Sequence, residues 1–200
     1  MPTNNSCSVL AGSVEWCEGK TVVPGIRRRC YYIHKKSITK WPVLAGAADG
    51  RPTTSTYQGS FELAEGEHFH HVDLLINGSG INSDPQGEMP SQTQLNKFVG
   101  VHPGTKEEAT MLAAYCNNSD LVWLTQDADG KFRVTGSEMS ETKTTVSQAG
   151  GQNRTDTAQT TVNVEATDLI PQPFYTGQID DEDSMINPEE SGEQSGKTGD

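Results

Sequence analysis

The chain has 200 residues, 32% of them hydrophobic and 6% aromatic, with 20 glycines and a net charge of −12. That length suits one domain of ordinary size, or one domain with a loose end. The polar, glycine-rich composition favours a β-protein with many turns over a helical bundle, and the acidic balance argues against tight phosphate binding, which needs Lys and Arg concentrated on one face.

Residues 1–13 are small and polar and read as an arm; Met1 to Leu10 lack the basic-then-apolar order of a signal peptide, and no apolar stretch is long enough to span a bilayer. A product that stays soluble and is made in a cytoplasm is expected. Val14 to Cys17 reads as a short strand and Gly19-Lys20 as its turn. Arg27 to His34 reads as a strand through Cys30-Tyr31-Tyr32-Ile33, and its pleat sets Arg27 and Arg29 opposite Arg28, an arrangement for ion pairs rather than a phosphate track. Trp41-Pro42 closes a second extended piece, because the residue before proline avoids helix. Val43 to Thr56 is a long loop or an extended hairpin.

Tyr57 to Leu63 and His68 to Ile76 read as strands paired around Ala64-Glu65-Gly66-Glu67, Asn77 to Gly87 as a loop, and Ser91 to Val101 as a strand. Thr105-Lys106-Glu107-Glu108 is a capping-box pattern, followed by an apolar stripe of Met111, Leu112 and Tyr115 and a stop at Asn117-Asn118. This helix should cover a sheet face.

The stretch from Asp120 to Tyr175 is the most informative. Leu121-Val122-Trp123-Leu124-Thr125 and Phe132-Arg133-Val134-Thr135 flank an Asp-Gly turn and predict a hairpin. Val162, Val164 and Ala166 alternate with Thr161, Asn163, Glu165 and Thr167, so one face of that strand is buried and the other needs solvent or a partner. A flexible connection is expected from Ser147 to Asp156. From Asp180 to Asp200 eight carboxylates face one lysine, Lys197, so this end carries −7 and the rest −5. Residues 178–200 therefore read as a disordered acidic tail behind a folded domain over 14–177.

Motifs for covalent chemistry are weak. Gly192 to Thr198 has three residues between its glycines where a phosphate loop needs four, and it lacks the flanking strand and helix. Asp127-Ala128-Asp129-Gly130 would begin a calcium loop at Thr125 and end it at Gly136, neither of which ligates as required, so it reads as a hairpin turn. His68 and His70 point the same way on a strand, where they could share a cation with a carboxylate from a neighbouring strand. No further His or Cys is spaced to help, and these imidazoles are expected on a wet strand face. Cys7, Cys17, Cys30 and Cys116 lack paired spacing and read as reduced, buried thiols. Cys116 and His102 have nothing to bring them together as a nucleophile and base, and the Asn-x-Ser/Thr triplets at Asn77, Asn117 and Asn153 read as chance matches. No catalytic, cofactor-binding or metal residue is assigned, and the chain is not expected to be an enzyme.

Several segments together resemble the tail tube proteins of tailed bacteriophages: Pro90 to Lys97, the helix with Asn117 to Asp120, Gln126 to Val134, and Val164 to Asp168 through Pro173-Phe174-Tyr175. The likeness spans Arg27 to Tyr175. It implies a β-sandwich or partly closed barrel flanked by one helix, with six copies in a ring and rings stacked into a virion tail tube. It also implies a tape-measure protein within the tube during assembly, contacts to tail terminator and distal tail or baseplate proteins, and DNA passing through without specific binding. Val43 to Thr56 is then the foremost candidate for the hairpin inserted between neighbours, through Ala45, Gly50, Arg51 and Thr54, with Gly150 and Gly151 in the rival connection. Trp41, Phe174 and Tyr175 are candidate anchors, with a place in the core as the alternative for each. The competing classes are another virion β-module (a head–tail joining or capsid decoration protein), a surface glycan-binding module, and a metal-dependent hydrolase built on the His68 cluster.

Overall fold

The computed structural model describes residues 12–46 and 51–188. In chain order these form β1 (Ile26–His34), a 3-10 turn (Lys35–Ser37), β2 (Ile38–Lys40), β3 (Val43–Gly46), β4 (Pro52–Gln58), β5 (Glu62–Leu63) and β6 (His70–Asp73). There follow β7 (Gly80–Gln86), β8 (Thr93–Pro103), α1 (Glu107–Cys116), β9 (Leu121–Asp127), β10 (Phe132–Thr135), β11 (Thr142–Ala149) and β12 (Gln159–Asp168). The last are β13 (Phe174–Tyr175), β14 (Ile179–Asp180) and β15 (Met185–Ile186). A seven-stranded sheet ordered β3-β4-β13-β10-β9-β1-β6 packs on a four-stranded sheet ordered β11-β12-β8-β7. The expectation of a mainly β sandwich with one helix holds.

The continuous apolar run of β9 has a physical reason: its strand is buried on both faces. Leu121 and Trp123 enter the core between the sheets with Cys30, Tyr32, Phe98, Val162 and Val164. Val122 and Leu124 enter a second core on the far side of the large sheet, with Tyr31, Ile33, Phe69, Tyr175 and Ile179. β12 keeps strict alternation because only one of its faces is covered: Val162, Val164 and Ala166 are buried, whereas Thr161, Asn163 and Glu165 are half-exposed. Helix α1 seals the end of the first core with Leu112 and Cys116, and the Asn117 side chain joins it to β11, accepting from the Val146 N–H at 2.8 Å and donating to the Val146 carbonyl at 3.3 Å.

Several sequence expectations are corrected. Val14 to Cys17 is exposed and makes no strand, although the turn follows, with Lys20 N–H donating to the Cys17 carbonyl at 3.2 Å. Asn77 to Gly87 is not a loop: β7 runs antiparallel to β8 from Gly80↔Val99 to Gln86↔Thr93. Its polar side chains suit a wet sheet face, and Ile81 supplies its packing against the core. Tyr57 to Leu63 and His68 to Ile76 do not pair with each other. β5 pairs with β2 through Ile38↔Leu63 and Lys40↔Glu62, and β6 pairs with β1 from Arg29↔Asp73 to Tyr32↔His70. The helix begins at Glu107 with Lys106 as its cap and no side-chain capping bond, so the Thr105 box does not form. Its buried stripe is Ala109, Leu112 and Cys116, with Met111 and Tyr115 outside.

Cys30 and Cys116 are buried free thiols, pushed up in pKa by burial, the latter to about 12, whereas Cys17 is exposed and Cys7 lies outside the described residues. Arg29 forms the expected ion pair, its Nε 2.8 Å from Asp73 on the neighbouring strand.

The domain boundary at 177 is also corrected. β14 and β15 form a small hairpin, Ile179 is completely buried, and Asp181 is buried beside it. Residues 178–186 are a strap across the second core. Composition indicated disorder there because it cannot register that Ile179 and Ile186 find a pre-formed apolar seat. Residues 1–11, 47–50 and 189–200 lie outside the described residues, and with them the phosphate-loop look-alike, most of the arm and the remainder of the tail. Among the described residues no helix is long and apolar enough to cross a membrane.

Candidate assembly surface

The stretch from Val43 to Thr56 is a hairpin, as one of its two readings anticipated. Val43↔Gln58, Leu44↔Tyr57 and Gly46↔Pro52 pair, with an irregularity between the last two, and the hairpin forms one end of the large sheet. Its base is anchored: Tyr57 is buried, Leu44 packs on the second core, and β13 runs parallel alongside with Phe174↔Thr56 and Tyr175↔Tyr57. Ala45 and Thr54 are half-buried, Arg51 is exposed, and Thr53 donates to the Ala45 carbonyl at 3.1 Å. Gly50 lies outside the described residues.

The aromatic candidates divide. The Trp41 ring meets Phe61 edge-to-face with centroids 5.3 Å apart, under the Lys35 ammonium at 5.9 Å, so it belongs largely to the second core. Tyr175 takes the core alternative: it is 1% exposed, its hydroxyl donates to the Gln178 carbonyl at 2.7 Å and accepts from the Phe61 N–H at 3.1 Å, and no surface remains to offer another subunit. Phe174 is half-buried, with the Arg133 guanidinium 4.0 Å over its ring and Lys131 at 5.6 Å. Arg133 is itself held by Asp127 at 2.6 Å, so this cation–π stack is a rigid surface feature. Gly150 and Gly151 are exposed at the end of the β11–β12 pair. The expected flexible connection contains an organised turn: Asp156 Oδ2 accepts from the Gln152 and Asn153 N–H groups at 2.8 and 2.9 Å, which also holds its carboxyl below the usual range. Gly151 sits at φ +78, and an added Cβ there would lie 2.9 Å from the Asp156 Cβ.

The four-stranded sheet supplies the largest wet strand face. Across it Lys143, Glu165, Lys97 and Asn82 form one row, and Thr145, Asn163, Val99 and Gly80 the next. Lys97 is tied to Asp84 at 3.0 Å. At its two ends, β11 and β7 pair with no further strand among the described residues. The segment over 12–24 adds exposed apolar groups: Val14, Trp16 at 71% exposure, Val22 and Val23.

The histidine segment has partners that sequence spacing did not indicate. Phe69 bridges Asp181 in parallel, and the Phe69 N–H donates to the Asp180 carbonyl at 2.7 Å. His70 Nδ1 contacts Glu182 Oε1, and His68 Nε2 lies 3.6 Å from the same oxygen. His71 Nδ1 lies 3.1 Å from both oxygens of Asp181. The bond to His70 holds the Glu182 carboxyl below its ordinary range. The one sequence signal was the alternation in His68-Phe69-His70 and Asp181-Glu182-Asp183; nothing local showed that the two would run side by side. Comparison with protein-family models, curated proteins and solved structures finds no match.

Proposed function

We propose that this chain is a structural virion protein that self-assembles into stacked rings, six subunits per ring by the family resemblance, forming the tail tube through which DNA leaves the capsid. The observation that carries the reading is the four-stranded sheet with a wet face and two open edges. Open edges favour pairing with another chain, and joining β11 of one copy to β7 of the next would close a ring and remove both. The wet face then lines the bore. Its hydroxyl, amide and mixed charged groups, within an acidic protein, give DNA phosphates no basic track on which to stick. The distal hairpin β3–β4 and the exposed apolar segment over 12–24 fit contacts along the axis, where each subunit must present two different complementary surfaces. A tape-measure protein, tail terminator and distal tail or baseplate proteins complete the partner set that this reading requires.

Removing Ala45 to Thr54 tests it. The deletion leaves Ser55-Thr56 as a two-residue connection between the paired Leu44 and Tyr57; Thr56 gives up its place beside Phe174, and the Val43↔Gln58 and Tyr175↔Tyr57 pairs with the buried Tyr57 are expected to hold the base. Negative-stain micrographs of concentrated wild-type protein, alone or nucleated by tail partners, should show rings or hollow tubes, and the deletion variant should remain a folded monomer. Normal tubes from the variant would remove the hairpin as a contact. A strictly monomeric wild type, even with partners present, would sink the tube reading.

A further inference from the structure

We propose that His68, His70 and Glu182 form a binding site for a divalent ion of the zinc class, and that the ion fastens the C-terminal strap to the edge of the large sheet. The site follows from the parallel contact between Phe69 and Asp181. Both of those side chains are buried and share one face, so the pleat turns His68, His70 and Glu182 to the other. Two imidazoles and a carboxylate from segments 112 residues apart thus converge.

The three donor atoms converge on one point, and His70, which contacts Glu182 directly, draws back from it when an ion enters between them. Zinc takes imidazole nitrogen and carboxylate oxygen at about 2.0–2.2 Å, which puts neighbouring ligand atoms roughly 3.3–3.5 Å apart. His68 Nε2 and Glu182 Oε1 are 3.6 Å apart, and all three ligand atoms lie within 4.8 Å of one another. The His68 and His70 ring centroids are 5.2 Å apart at 67°, so two rings approach one point from different directions. The donor set of two nitrogens and one oxygen selects zinc-class ions over calcium or magnesium, which take oxygen ligands. The three side chains are 40–45% exposed, which leaves a fourth position for water and a route of entry.

A second trio, His71, Asp181 and Asp183, lies on the opposite face of the same pair of segments. There Asp181 is buried, which leaves an ion no open position or route of entry, so that trio, with both Asp181 oxygens 3.1 Å from His71 Nδ1, reads as a hydrogen-bonded anchor of the strap. Binding at the first trio couples to the strap because Glu182 lies on it, three residues after Ile179, which is seated in the second core.

Chelator-stripped full-length protein titrated with zinc chloride in a calorimeter, with hydrogen exchange followed over 179–186, tests the proposal. The expected result is one equivalent bound per chain and slower exchange across the strap. Changing a group that merely orients a ligand already weakens metal binding about 10–100-fold, so His68→Ala and Glu182→Gln should each weaken it by at least about 100-fold. Asp183→Asn, which belongs to the other trio and is exposed, should bind as wild type. Both His68 and Glu182 are substantially exposed, and unchanged far-ultraviolet dichroism verifies that their variants fold. Absence of a stoichiometric site would overturn the proposal. So would loss of binding in Asp183→Asn with retention in His68→Ala, or zinc binding that leaves exchange over 179–186 unchanged.

Discussion

At the scale of single residues, the interface between the two sheets is specified by polar groups as well as by packing. Asn96 is fully buried on β8, yet its Oδ1 accepts from the Ser83 hydroxyl at 2.6 Å and the Gln172 N–H at 3.1 Å, while its Nδ2 donates to the Ile170 carbonyl at 3.1 Å. Gln172 continues the network to the Lys97 carbonyl and the Thr135 hydroxyl, at 2.8 and 3.2 Å. Satisfied in this way, a buried amide specifies one arrangement of the sheets. Asp168 is less well served: Oδ1 accepts from the Leu169 N–H at 2.7 Å, Oδ2 has no protein partner, and burial raises its carboxyl above the usual range. An acid whose folded pKa is raised contributes stability that is present below its unfolded value and is lost as pH rises through the folded one. Asp168→Asn removes that titration. Its urea midpoint relative to wild type should therefore rise as pH increases past the ordinary carboxyl value of about 3.9; a difference independent of pH would show that Asp168 does not titrate as its burial demands.

At the scale of elements, the strap shows how an acidic segment becomes structural. Ile179 is completely buried among Phe61, Phe69 and Tyr175, and Asp181 reaches His71. Ile179→Ala should cost about 2–4 kcal/mol, the range for truncating a fully buried aliphatic side chain. Loss of residues 178–188 should lower the melting midpoint further, because it also uncovers the second core. Calorimetric melting of both variants measures this, and a midpoint equal to wild type would mean that the strap does not contribute to the fold in solution. The hairpin β3–β4 has the opposite balance. Its base packs on the core while its distal part buries less within the subunit, so a deletion there should weaken association more than folding.

At the scale of the whole molecule, the proposed bore rests on the outer face of the four-stranded sheet, where Thr161 and Asn163 lie two residues apart on β12. Replacing both with lysine places a repeating basic track on that face. If the face lines the tube, assembled variant should retain double-stranded DNA at low salt and release it as salt rises, because each phosphate contact expels counterions. Wild-type tubes should retain little. Cosedimentation with DNA at several salt concentrations measures the difference, and identical behaviour of the two would place the bore on another surface.

The sequence by itself determined the strands whose side chains alternate or run continuously apolar, above all β9, β10 and β12, because periodicity reports directly which faces are buried. It also determined the Asp-Gly turn, the existence of the helix and the hairpin form of Val43 to Thr56 as one of two options. Tertiary structure alone decided the rest. β7 is a strand because β8 offers it a ladder, since Gly80 to Gln86 carries scarcely any apolar signal of its own. Tyr175 is core rather than anchor because Phe61, Phe69 and Ile179 close over it. The histidines acquired Glu182 and Asp181 from a segment that composition had marked as disordered. A local window records the propensity of a chain to order itself, whereas these segments are ordered by contacts with residues far away in the sequence, whose free energy offsets an entropy that the segments alone could not.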